Sequence, residues 1–125
     1  MTDEVQAQLR AAAESIDAAE LLLERGHYGF SAARSYYTMF YCASALHAHQ
    51  GRSYSRHGGV IAGFGQHFVK TALFDPKFHT YLRDAFRDRQ RGDYGMMDFV
   101  SQETARAVLA HSREFLDATR AFLGA

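Results

Sequence analysis

Apolar residues recur at intervals of three and four along this sequence, and that spacing is the feature that most restricts the fold. The first such stripe ends before Gly26 and runs through Val5, Leu9, Ala12, Ile16, Ala19 and Leu23. An α-helix has 3.6 residues per turn, so this spacing places the stripe on one face of a helix. No segment alternates apolar and polar residues as a half-buried strand does. The pattern therefore predicts an all-α protein.

The second helix is predicted between about His27 and Gln50, before Gly51. Its apolar residues lie almost all round the helix, at Phe30, Tyr37, Met39, Phe40, Ala43 and Leu46. A helix that is apolar on every side is normally surrounded by other elements. We predict that it is the central, most buried helix. One small bundle does not easily cover so much apolar surface, so we also predict a homodimer.

Capping residues indicate where the later helices begin. Ser55 is predicted to cap a short, glycine-rich helix, and Asp75 followed by Pro76 is a typical start of a long one. A loop is expected after Gly92, as far as about Ser101, which can cap the last helix. The sequence thus predicts one domain, an up-and-down bundle of four long helices plus one short helix.

Composition agrees with a single globular domain. Of the 125 residues, 47% are hydrophobic and 22% are charged. No apolar run approaches the ~20 residues that span a membrane, and the chain does not start with the basic and apolar regions of a secretory signal. Cys42 is the only cysteine, which excludes an internal disulfide and fits a reducing compartment. We expect a cytoplasmic protein that does not enter a membrane.

Charge is unevenly distributed along the chain, although it sums to zero. Residues 1–25 carry six acidic residues against two arginines, whereas residues 26–91 carry nine lysines and arginines against three aspartates. A basic middle indicates either an anionic ligand or pairing with acidic segments within or between subunits. Charge alone leaves both interpretations open.

The segment FRDRQRGDYG, residues 86–95, contains three arginines. On the predicted helix, Arg83 and Arg87 share a face that is expected to meet solvent. Arg89 instead continues the inward stripe, which runs through Phe78, Leu82 and Ala85. A guanidinium on an inward stripe is costly unless it is paired or partly hydrated. Arg89 is therefore either a helix-end cation paired with Asp93 or part of an anion-binding site.

Arg34 raises the same question in the central helix. Tyr37 and Tyr41 follow it at three and seven residues, on one aromatic strip. One interpretation is a brace between Arg34 and a carboxylate of the acidic first helix. The other places Arg34 and Arg89 at one cleft, where tyrosine hydroxyls help to orient a phosphate.

The seven histidines show no spacing typical of a metal site. His47 and His49 are two residues apart on a helix and therefore point in different directions. His57, within SRHGG, is expected either to have a structural role or to line a cleft. We predict neither a metal nor another cofactor.

Three motifs together resemble the HEPN superfamily: ARSYYTMFYCASAL, SRHGGVIAGFGQHFVKT and FRDRQRGDY, followed by a last helix that begins SQETARAVLAHSREFL. The similarity covers roughly residues 5–120. Within the superfamily, the motifs resemble more specifically those of the small stand-alone HEPN proteins. It implies a helical bundle, usually a homodimer, often encoded beside a minimal nucleotidyltransferase. Many members are metal-independent ribonucleases that act as toxins of toxin–antitoxin pairs, so RNA or a nucleotide is the implied ligand.

The chain departs from the family signature, an arginine followed after four to six residues by histidine near the end of the penultimate long helix. Asp93 and Tyr94 occupy that stretch instead. Metal-free RNA cleavage needs a base, an acid and a cation for the phosphorane charge. We predict Arg89 as the cation, Asp93 as the base and Tyr94 as a phosphate-orienting group. Substrate-binding residues are predicted at Arg34, Tyr37, His57 and Arg87. The alternatives are a catalytically silent HEPN module that binds a nucleotide or docks a nucleotidyltransferase, and a purely structural helical dimer.

Overall fold

A computed structural model of the protein describes residues 1–93 and 100–125, except for the side chains of residues 91–93. Its helices are α1 (Asp3–Glu24), α2 (Tyr28–His49), α3 (His57–Phe64), α4 (Pro76–Asp93) and α5 (Gln102–Leu123). A π-helical segment, Gly65–Val69, extends α3 directly. All regular structure within the described residues is helical. The predicted all-α bundle of four long helices and one short helix is confirmed.

The central helix of the bundle is α2, which packs against α1, α3, α4 and α5. Small residues let α1 approach it closely, since Ala12 and Ala43 are both completely buried. Two hydroxyls of α2 bond to carbonyl oxygens of α1: Ser31 Oγ donates to Ala19 at 2.7 Å and Thr38 Oγ1 donates to Ala12 at 3.1 Å. The prediction of a buried central helix is confirmed.

Two of the three predicted helix caps are present. Asp75 Oδ1 accepts a hydrogen bond from the Lys77 backbone at 2.9 Å, and Ser101 Oγ accepts one from the Thr104 backbone at 3.0 Å. The predicted cap at Ser55 is wrong, because α3 starts one residue later, after Arg56, without a side-chain cap.

The predicted end of this helix at Gly92 is one residue short, because α4 continues to Asp93. Glycine costs a helix only about 1 kcal/mol relative to alanine and does not by itself stop it. Residues 89 and 93 therefore lie one turn apart on the same face of α4.

Glycines in α3 and the π-helical segment allow close packing. A Cβ at Gly63 would lie 2.5 Å from the Tyr54 hydroxyl oxygen, and one at Gly65 would lie 2.9 Å from His79 Cε1. These contacts show that the short helix is tightly packed. Next to it lies a phenylalanine cluster of six rings from α3, the π-helical segment, the following loop, α4 and α5: Phe64, Phe68, Phe74, Phe78, Phe115 and Phe122. Within the described residues, none of the helices is both long and apolar enough to cross a membrane.

Candidate functional site

The apolar stripe of α4 turns polar near the C-terminal end of the helix. Phe78, Leu82 and Ala85 are buried, and Arg89, the next residue on the stripe, is half-buried. Arg83 and Arg87 are exposed on another face, where Arg87 lies 3.7 Å from Asp84. The structure thus places Arg89 inward and the other two arginines at the surface.

Arg89 meets α2 at Tyr37. Its Nη2 donates a hydrogen bond of 2.9 Å to the Tyr37 hydroxyl, and its guanidinium carbon lies 5.5 Å from the centre of the ring. The guanidinium carbon of Arg34 lies 4.7 Å from the same ring. Two guanidinium groups therefore share one tyrosine, although residues 37 and 89 are 52 positions apart in the chain. Like charges gathered in this way favour an anion between or beside them.

The expected brace between Arg34 and the acidic first helix is not observed. Within the described residues, no carboxylate of α1 forms an ion pair with Arg34. The side chain is half-buried against the Tyr37 ring instead. A guanidinium held by an aromatic ring keeps its hydrogen-bond donors for another partner.

His57, at the start of α3, reaches the same aromatic strip. Its Nδ1 lies 2.6 Å from the hydroxyl oxygen of Tyr36, and its ring stacks on Phe40 with the ring centres 4.2 Å apart. The Tyr37 ring lies edge-on to it at 5.9 Å. Burial, and then the neighbouring Arg89, lower the pKa of His57, so the imidazole is neutral at pH 7.

The tautomer of His57 depends on Tyr36, whose hydroxyl can donate to Nδ1 or accept from it. Burial raises the pKa of the Tyr36 hydroxyl well above its ordinary value, so this group stays protonated. When it donates its proton to Nδ1, the neutral imidazole carries its own hydrogen on Nε2. The ring then offers an N–H donor toward a ligand. We refer to Arg34, Tyr36, Tyr37, His57 and Arg89 as the arginine–tyrosine site.

The sequence-predicted residues are therefore only partly brought together. Arg34, Tyr37, His57 and Arg89 form one cluster, whereas Arg87 is exposed and pairs with Asp84. The side chain of Asp93 and all of Tyr94 lie outside the described residues. Sequence reasoning did not assign Tyr36 or Phe40 to the site. Their four-residue spacing on α2 is a signal that could have found them, since it places both rings on one face.

The arrangement suits an anion better than a metal ion. Its described members supply guanidinium donors, an imidazole N–H and aromatic rings, which are the groups that hold phosphates and stack on bases. Within the described residues, there is no group of three or more histidine, cysteine, aspartate or glutamate side chains that could hold a metal.

Comparison with known proteins agrees with the helical fold, and the similarity extends over most of the chain. A sequence profile described as HEPN domain matches residues 5–122. A UPF0332 protein of Gloeobacter violaceus is 37% identical over 98% of this chain and 98% of its own length. A UPF0332 protein of Thermotoga maritima is 36% identical over 87% of this chain and 83% of its own length. A protein of Methanocaldococcus jannaschii, provisionally named a toxin, is 32% identical over 96% of this chain and 82% of its own length.

Proposed function

The chain belongs to the HEPN domain family, and from that premise we propose that it is a toxin-like ribonuclease of a toxin–antitoxin pair. In this proposal it cleaves RNA without a metal ion, and a nucleotidyltransferase is its antitoxin. The toxin assignment is supported by two relatives that are provisionally named toxins. The single observation that carries the ribonuclease part is the shared contact of Arg34 and Arg89 with Tyr37.

That shared contact brings together the positive charge and the hydrogen-bond donors that bind an RNA phosphate. A planar guanidinium binds two phosphate oxygens at once, which fixes the position of the group and not only its charge. With its hydrogen on Nε2, His57 adds a hydrogen-bond donor without adding a positive charge. In the transition state the phosphate gains negative charge, and Arg89 is the cation that stabilises it.

The acid–base groups are proposed at the end of α4. Because the helix continues to Asp93, this residue follows Arg89 by one turn on the same face. We assign Asp93 the role of base toward the 2′-hydroxyl, provided that its surroundings raise its pKa. Tyr94 is assigned the orientation of the phosphate. The role of Asp93 is tested by substitution below.

A silent module that binds a nucleotide, or docks a nucleotidyltransferase, is the second candidate. It is favoured by the composition of the site within the described residues, where Arg34, Arg89 and His57 offer donors to an anion. Tyr36 occupies Nδ1 of His57, so the imidazole is not free to accept a proton there. Such a site binds phosphate whether or not cleavage follows.

A homodimer is part of the proposal because an apolar groove of about 520 Å³ lies beside the site, lined by Leu22, Phe30, Arg34, Tyr37 and Tyr41 among others. Phe30 at its edge is 55% exposed. A second copy that covers this groove brings another Arg34 close to the first. Light scattering at micromolar concentration is expected to show a dimer, and Phe30→Ser is expected to weaken it. A monomer near 14 kDa would contradict this part of the proposal.

The ribonuclease proposal is tested by expressing the chain with and without a candidate nucleotidyltransferase antitoxin. Expression alone is expected to arrest growth and degrade RNA, and the partner is expected to prevent both. The purified protein should also cut single-stranded RNA in the presence of EDTA. Growth arrest without RNA decay, or no arrest at all, would favour the silent module.

Substitution of the proposed base separates cleavage from binding. Asp93→Asn should abolish cleavage, because the amide cannot accept the proton, while RNA binding should change little. Asp84→Asn is the matched control, since Asp84 is exposed on the same helix. Equal cleavage by both variants and the parent would remove Asp93 from the mechanism.

A further inference from the structure

A second cavity, of about 210 Å³, lies beside the arginine–tyrosine site. Phe40 contacts both, because its ring stacks on His57 of the site and also lines the cavity. The remaining walls come from the first turns of α1, the C-terminal half of α2, the loop after α2 and the start of α3. This volume is many times what a single water molecule needs, so the cavity can take a small molecule.

Two polar atoms in the walls are buried without a hydrogen-bond partner among the described residues: Nδ1 of His47 and Nε of Arg52. His47 is only 1% exposed. A buried polar atom without a partner destabilises the folded state, so a protein seldom retains one without a reason. Both residues line the same cavity, so one ligand there can satisfy both atoms once the side chains that cover them move aside.

The tautomer of His47 defines what one of these atoms requires. Its Nε2 lies 3.1 Å from the carbonyl oxygen of Val60, which can only accept a hydrogen bond. Nε2 therefore carries the hydrogen, and Nδ1 holds a lone pair that needs a donor. Arg52 Nε is always a donor and needs an acceptor. A ligand that satisfies both atoms must therefore carry a hydrogen-bond donor and a hydrogen-bond acceptor.

Charge and shape restrict the ligand further. The guanidinium of Arg52 disfavours a cation, and the carboxylate of Glu4, which also lines the cavity, disfavours an anion. Phe40 and Val60 provide apolar surface on which a flat ring can lie. A neutral, planar molecule with hydrogen-bonding groups on its edge fits these conditions, and a nucleobase has that chemistry.

We propose that this cavity is a base pocket, in which His47 Nδ1 accepts a hydrogen bond from the amino group of a nucleobase and Arg52 Nε donates one to a ring nitrogen. Adenine and cytosine carry both groups on adjacent atoms. The inference rests on the proposed function, because it takes the occupant to be a base of the bound RNA. Phe40 then stands between the pocket and the phosphate held by Arg34 and Arg89.

Tyr54 forms the entrance to the base pocket. It is 38% exposed on the loop between α2 and α3, and its ring lies edge-on to His47 with the centres 4.7 Å apart. Its hydroxyl occupies the space that a side chain at Gly63 would fill. A ligand reaches the His47 ring by displacing Tyr54, whose ring can then stack on the base.

The test is a titration of the full-length protein with adenosine and with purine riboside, which lacks the amino group, followed by NMR of the histidine ring nitrogens. Nucleosides carry no phosphate, so the guanidinium–phosphate contacts of the arginine–tyrosine site do not contribute, and the His47 signal reports on the pocket itself. Adenosine is expected to shift the His47 Nδ1 signal and to bind about tenfold more tightly than purine riboside, the effect of one hydrogen bond. The exposed His49 should not respond.

A pair of arginine variants supplies the control. Arg52→Met should weaken adenosine binding about tenfold, because it removes the Nε donor and keeps most of the side-chain volume. Arg56→Met removes an exposed arginine from the start of α3 and should leave binding unchanged. Neither variant changes His47, so a loss of binding cannot be attributed to a misfolded core around that ring.

Equal binding of the two nucleosides, or no shift at His47, would overturn the base pocket and leave a hydrated cavity in its place. Identical behaviour of Arg52→Met and Arg56→Met would do the same. The outcome is independent of RNA cleavage. An adenosine-specific shift without RNA decay would support the pocket and reject the ribonuclease, and RNA decay without a shift would do the reverse.

Discussion

The two halves of α4 lie in different surroundings although they share one stripe. Phe78 and Leu82 are buried, and Phe78 packs on Phe74 and Phe115 in the phenylalanine cluster. One and two turns further on, Phe86 and Arg89 are half-buried beside tyrosines of α2. The position of a residue on the stripe determines only that its side chain points inward. The residues of other helices that the side chain contacts determine whether it stabilises the fold or binds a ligand.

The phenylalanine cluster and the arginine–tyrosine site therefore have opposite physical roles. In the cluster, ring centres lie 5.3–5.9 Å apart and burial of apolar surface stabilises the fold. In the site, guanidinium and imidazole groups are partly removed from water, which costs stability unless a ligand compensates. Regions that break the rules of core packing are where function is expected. Substitutions in the two regions should separate stability from activity.

The largest effect is expected in the phenylalanine cluster. Phe115 is completely buried, so Phe115→Ala should lower the free energy of unfolding by about 3–5 kcal/mol through lost contacts and a cavity. Urea denaturation followed by circular dichroism measures this. Leu73→Ala is the control, because Leu73 is 48% exposed, and should change the unfolding free energy by about 0.5 kcal/mol or less. A stable Phe115→Ala variant would contradict this role of the cluster.

A smaller effect on stability and a larger one on ligand binding are expected at Arg89. Arg89→Lys should weaken RNA binding and cleavage by roughly tenfold or more, because a lysine cannot make the two parallel contacts of a guanidinium. Its melting temperature should stay near that of the parent. Arg83→Lys, on the exposed face of the same helix, should change neither quantity. If Arg89 is only a helix-end brace, the melting temperature falls and activity is retained.

The smallest effect is a pH dependence of stability that belongs to the histidines. Burial lowers the pKa of both His47 and His57. In the unfolded chain these groups take up a proton near pH 6.5, whereas in the folded chain they stay neutral to lower pH. Stability is therefore full above about pH 6.5 and is lost as the pH falls below it. Urea midpoints at pH 7.5 and pH 5.5 measure the loss.

Matched histidine variants assign this pH dependence. His57→Gln should reduce the change in urea midpoint between the two pH values, because the His57 imidazole no longer contributes, while the part due to His47 remains. His49→Gln should behave as the parent, since His49 is exposed on the last turn of α2. The phenylalanine cluster has no ionisable group, so Phe115→Ala should lower stability equally at both pH values. A steeper loss in His57→Gln than in the parent would show that the sign is wrong.

The sequence by itself determined the helices, most of their boundaries and the direction of Arg89. These are local properties: apolar spacing predicts a helix and its inward face, and Asp75 and Ser101 bond to backbone two or three residues ahead. The error at Gly92 has the same origin, because a glycine weakens a helix by an amount that other contacts of the helix can offset.

Only the tertiary structure decided which side chains meet. Tyr36 and His57 are 21 positions apart, and Tyr37 and Arg89 are 52 apart. No spacing rule relates such residues, because their contact depends on how α2, α3 and α4 pack. The same holds for His47. Its Nε2 bonds to the carbonyl oxygen of Val60, whereas its Nδ1 has no hydrogen-bond partner among the described residues, and only the packed structure shows this. A helix repeat fixes the face of each side chain, whereas its partner is set by the packing of helices that are distant in the chain.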